Sequence, residues 1–175
     1  MDSRVKPLFA SSYFTISRKC QFYQIISYDY ADPDGYYERL LHDSMAFAKE
    51  VEMLSINMQK YLDAEQIFIN GQRVKQEILH VDIGLRGAAD VPYLRWVVFF
   101  QGQHQLGVNT LASNVEEETS EYDIEVLYLW PKDTEIKEVI TPMEFEIRGP
   151  LLLVWSRKGD LVGGYEEVKF EFKSS

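Results

Sequence analysis

His80 and Asp82 stand two residues apart within IFINGQRVKQEILHVDIGLRG, residues 67–87. The stretch alternates as a strand does, so the two side chains leave the same face. An imidazole nitrogen and a carboxylate oxygen side by side are two ligands for a metal ion. His104, beyond the next apolar stretch, offers a third. The same pair suits acid–base chemistry. The plainer alternative is a solvated sheet face, or the mouth of a curled sheet, on which a His and an Asp do nothing. Arg86 and Arg95 are candidates for binding a ligand carboxylate or phosphate, and His80, Asp82 and Arg95 are candidate polar anchors for a small ligand.

Other motifs carry less. DPDG at 32–35 opens like a calcium loop, but the later ligands and the closing Glu are missing, so Asp32 reads as a helix cap. GLRGAADVP lacks the glycine spacing of a dinucleotide turn and the Gly-Lys-Ser/Thr of a P-loop. VEEETSEYDIE reads as a solvated acidic connection. Cys20 is the sole cysteine, which excludes an internal disulfide and a multi-thiol zinc site, and it reads as a buried apolar thiol. There is no Gly-x-Ser-x-Gly elbow, and three histidines leave few ways to build a triad. No catalytic signature is found, and no cofactor is expected.

The net charge of −10, without any basic stripe, excludes nucleic acid and an anionic membrane surface as partners. No run has signal-peptide or membrane-span character, so the expectation is a soluble, cytoplasmic protein. The 175 residues suit one domain, 1–175, with a sizeable core.

These candidates must be held by elements that the periodicity outlines. Residues 11–30 alternate as one long bent strand or two short ones. From about Pro33 to Asp63 the positions Leu40, Ser44, Phe47, Val51, Leu54, Met58 and Tyr61 form one apolar stripe, which predicts a single long helix. Asn70-Gly71 then marks a hairpin turn. YLRWVVFFQG, DIEVLYLWP, MEFEIRGPLLLVWSRKG (kinked at Gly149-Pro150) and GYEEVKFEF read as strands, and residues 103–122 as a long irregular connection. The expected class is α+β: one long N-terminal helix packed on, or wrapped by, a curled and mostly antiparallel sheet of six to seven strands. The strand–helix–strands order is similar to that of hot-dog and cystatin-like proteins, which implies a helix cradled by one sheet.

Trp96–Phe100 and Leu151–Trp155 are apolar on both faces, more than one helix can cover. The functional expectation is therefore an interaction or assembly domain, a homodimer or a partner of another protein. The alternative is a small-molecule binding protein or enzyme with a pocket between helix and sheet, lined by aromatics such as Tyr128.

Overall fold

The structure is a computed structural model that describes residues 5–173. Strands β1 (Lys6–Ile16) and β2 (Gln21–Ala31) form a hairpin, followed by helices α1 (Tyr36–Leu41) and α2 (Ser44–Ala64). Ten strands complete the chain: β3 (Gln66–Ile69), β4 (Gln72–Val74), β5 (Glu77–Leu85), β6 (Pro92–Gln101), β7 (Val108–Thr119), β8 (Asp123–Leu129), β9 (Thr134–Ile140), β10 (Glu144–Arg148), β11 (Leu151–Ser156) and β12 (Leu161–Phe172). They build two sheets, ordered β10-β11-β8-β1-β2-β6-β5 and β4-β3-β7-β12-β9. All neighbours are antiparallel except β1 and β8.

This corrects the expected class. The described chain is 57% strand and 16% helix, with two helices lying between strands and two sheets of seven and five strands, not one N-terminal helix on one curled sheet. The single cradling sheet implied by the hot-dog and cystatin-like resemblance is likewise absent. The long stripe breaks at His42-Asp43. The Asp43 carboxylate accepts from the backbone N–H of Met45 and Ala46, at 3.1 and 3.0 Å, and so starts a second helix. Asp43→Ala is expected to lower stability by about 1 kcal/mol, read from urea unfolding followed by circular dichroism. The first helix starts later than Asp32 and Pro33 suggest, with Gly35 at its N-cap, although the buried Asp32 carboxylate accepts from Tyr37 N–H in its first turn at 2.8 Å.

Three further readings change. The irregular connection is largely β7, the middle strand of the small sheet, because Asn109, Leu111 and Ala112 are buried at its start while its acidic end pairs with β12. Gly149-Pro150 makes a tight reversal between two strands instead of a kink in one. The first segment is two strands of 11 residues each. The Asn70-Gly71 turn sits where the residues place it, with positive φ at both positions (51° and 76°) joining β3 to β4.

One face of the large sheet is covered twice. The small sheet lies over one end of its strands, burying Phe14, Phe22, Phe100, Trp130 and Leu152 against Phe170. The helices lie over the other end, burying Leu94, Trp96 and Val98 against Leu54 and Leu62. The Trp96 indole N–H donates to the Leu54 carbonyl at 3.2 Å, and Gln59 bridges α2 to the Gln76 carbonyl and the Ile78 N–H. Among the described residues, no helix is long and apolar enough to cross a membrane.

Candidate functional site

The uncovered face of the large sheet carries most of the residues singled out by type. A β-bulge between Ile78 and His80 makes this so. Simple alternation puts Ile78 and His80 on one face. The bulge places Leu79 as an extra, exposed residue, so Ile78 joins the core with Val98 while His80 and Asp82 point outward opposite Val97 and Arg95.

Asp82, Arg86 and Arg95 come together around Tyr93. The Tyr93 hydroxyl donates to the Asp82 carboxylate at 2.9 Å, and Arg95 stands 3.7 Å from the same carboxylate. Arg86 donates to Asp29 at 3.0 Å and to Ser27 at 3.2 Å. Both guanidinium groups lie over the Tyr93 ring, 4.5 and 4.6 Å from its centre. Gly84 makes room for that ring, since a Cβ there would stand 2.6 Å from the Tyr93 hydroxyl. Each arginine already has a carboxylate, so an incoming anion would have to displace Asp29 or Asp82. The cluster is arranged as a half-exposed ion-pair network, worth little net stability.

His80 lies one rung away, at the end of an apolar row. His104 is elsewhere, in the connection after β6, with its ring 5.7 Å from that of Phe172 on the small sheet. Among the described residues, no group of three or more His, Cys, Asp or Glu could hold a metal ion. Cys20 is fully buried, and burial pushes its thiol up to about 11, far from a thiolate at neutral pH.

The same outer face is apolar at its centre. Cross-strand register aligns Leu153, Leu127, Tyr13, Ile25 and Val97 from β11 through β8, β1 and β2 to β6. The next row holds Leu151, Leu129, Thr15, Tyr23 and Phe99. Tyr13, Tyr23, Ile25 and Leu129 are 41%, 48%, 40% and 44% exposed.

Inside the molecule, the two covers leave a polar seam. Glu65 caps the end of α2 where the chain turns into the small sheet. It borders a cavity of about 180 Å³ with Ser12, Gln24, Tyr28 and Tyr61, and a smaller one of about 40 Å³ with Tyr128, Thr141 and Glu166. The Thr141 hydroxyl donates to Glu166 at 3.0 Å. Burial raises both carboxyls above the ordinary carboxylate range; Glu166 adds to the effect on Glu65, the Gln76 amide partly offsets it there, and Thr141 partly offsets it at Glu166. Burial first, and then these two carboxylates, push the Tyr128 hydroxyl upward as well.

Type-based reading does not find Glu65 or Glu166. The available signal is phase: Glu166 falls in step with Val168 and Phe170, the buried face of β12. A carboxylate in phase with core residues is the exception worth noting.

No protein-family model matches the chain, and no curated protein matches it. Two solved structures are similar in outline. The folded domain of Mycobacterium tuberculosis LppM, determined by NMR, aligns with a TM-score of 0.45 at 8% identity, covering 95% of this chain and 91% of that chain. A crystal structure of a proposed protease from Parabacteroides distasonis aligns with a TM-score of 0.30 at 8% identity, covering 99% of this chain. This chain spans 41% of that protein's length. At these scores neither likeness carries an argument about what this chain does.

Proposed function

We propose that this chain is an interaction domain that pairs with a second copy of itself through the outer face of the seven-stranded sheet. The observation that supports the reading is the pair of in-register apolar rows crossing five strands, with the helices and the small sheet both on the opposite face. At ~4.8 Å per strand and ~7 Å between same-face residues, five strands and two rows give roughly 340 Å² of apolar surface per copy. A face-to-face pair would bury about 700 Å² through these rows, below the range of stable specific interfaces, which fits a weak, reversible dimer. Like faces pack this way in sandwiches, with sheets about 10 Å apart.

The net charge of −10 opposes pairing. Salt screens that repulsion without weakening apolar contact, so added salt strengthens this dimer. Light scattering after size-exclusion chromatography, at about 100 μM protein and in low and high salt, tests the reading. The expected result is a dimer favoured by salt, converted to monomer by Ile25→Lys with less than ~0.5 kcal/mol change in stability, as for a surface position. A wild-type chain that stays monomeric in both salts ends the proposal.

A further inference from the structure

The interior seam presents acceptors with nothing to accept from. Gln24 is 8% exposed and lines the larger cavity. Its amide nitrogen donates to Ser12 Oγ at 3.0 Å, while its Oε1 has no hydrogen-bond partner. An orphaned buried acceptor costs free energy that a bound donor would recover. Glu65 borders the same cavity and also the adjoining one, where Glu166 sits. No Lys, Arg or His lines either cavity. Arg73 and Lys75 lie on the far side of Glu65, in the groove beside β4, and neither forms an ion pair with it among the described residues. Two partly buried carboxylates without a counter-ion in the cavity walls call for protons or for a cation from outside.

The remaining walls choose between kinds of cation. Tyr28 and Tyr61 border the larger cavity and Tyr128 the smaller, with Met58 and Ile26 completing an apolar surface. Aromatic faces and a thioether attract a soft organic cation. A hard metal ion instead favours several carboxylates, and Glu65 is the one carboxylate lining the larger cavity. A volume of about 180 Å³ matches a small organic group, being close to that of an apolar cavity that takes benzene.

We propose that the seam between the two covers of the large sheet is a binding site for a small organic ammonium ion, with Glu65 as the counter-ion, Gln24 Oε1 as an acceptor and the tyrosines as its aromatic wall. Tyr61, 56% exposed at the edge of this cavity, stands at the entrance. The inference is independent of self-association, because the seam lies on the opposite face of the sheet.

The test uses the full chain with tetramethylammonium and butylammonium chlorides. Potassium chloride serves as the salt control and 3,3-dimethylbutan-1-ol as a neutral control. A ligand that binds only the folded state raises the melting temperature with concentration. Either ammonium ion, or both, should do so beyond both controls, and which one does so separates quaternary from primary amines. Glu65→Gln should weaken the effect tenfold or more, whereas Glu52→Gln, on the exposed side of α2, should leave it unchanged. Methyl NMR of the wild-type chain gives a readout that needs no variant to fold. The Met58 methyl should move on titration, while Met45 and Met53, both exposed, stay still. Absence of any shift with both cations, an equal shift with the neutral alcohol, or a shift that survives in folded Glu65→Gln overturns the proposal.

Discussion

Phe100→Ala is expected to lower the free energy of unfolding by about 3–5 kcal/mol, the range for deleting a buried ring from a packed core. In a protein of this size that corresponds to a fall of roughly 10 °C or more in melting temperature. The reason is position. Phe100 is 1% exposed and sits where the large sheet, the small sheet and the β1–β2 hairpin meet. Its ring stacks on Phe22 at 4.8 Å and meets Phe14 edge-on at 6.3 Å. A cavity there cannot close without moving two sheets, so the cost lies at the upper end. Phe99, the preceding residue, points outward against Tyr23 with ring centres 5.0 Å apart. Phe99→Ala should cost less than Phe100→Ala, under about 3 kcal/mol, because its ring lies on the outer face of the sheet and part of its surface stays in water in the monomer. Chemical denaturation of the two variants decides the matter. Equal losses would mean that the assignment of the two faces of β6 is wrong.

The second large effect is one of pH. Burial raises the folded-state values of Glu65 and Glu166 above the ordinary carboxylate value of 4.5. The folded protein therefore holds these protons more tightly than the unfolded chain does. Below the ordinary value both states are protonated, and the pair costs nothing. As pH rises through that value the unfolded chain ionises first and gains. Above the raised folded values the penalty is complete. The variant Glu65→Gln/Glu166→Gln is thus expected to melt above the wild type at pH 7.5, and the gain should vanish by pH 4. Surface pairs such as Glu135–Lys137 and Glu146–Arg148 act in the opposite sense on the wild type, but they are exposed, screened by salt and common to both proteins. A gain of the same size at both pH values would show that packing, not ionisation, separates the variants. Retention of two unneutralised carboxylates at a cost in stability fits a site kept for binding.

The legible parts of this fold were those set by local chemistry. Asn70-Gly71 names its own turn, because two successive residues must tolerate positive φ. The stripe from Leu40 to Tyr61 locates the helical region, but Asp43 lies between turns of an unbroken apolar period and only its side chain, folded back on Met45 and Ala46, reveals the break. The acidic half of β7 could not be read as strand from composition, since it is its pairing with β12 that holds it extended. The Leu79 bulge reverses the phase of one strand and leaves no mark in residue type. Among the site residues, Asp82, Arg86 and Arg95 meet because β5 and β6 are hairpin neighbours, a short-range consequence. Glu65 and Glu166 are about a hundred residues apart, and only the pairing of β3 and β12 on either side of β7 brings them to one seam. The surplus of apolar strand faces was visible early. One face of each such strand is buried inside the molecule, and the other lies on the outer face of the large sheet.

The one parallel pairing has a consequence for how the molecule is made. β1 is the middle strand of seven, yet its second neighbour, β8, starts more than a hundred residues later. During synthesis the β1–β2 hairpin emerges early and waits with one long edge open until the far leaf of β8, β11 and β10 arrives. Such distant closure slows folding, and an unfilled strand edge invites pairing with a neighbouring nascent chain. The expected consequence is a soluble yield on overexpression that falls as that edge stays vacant longer, read from the soluble fraction at different expression temperatures.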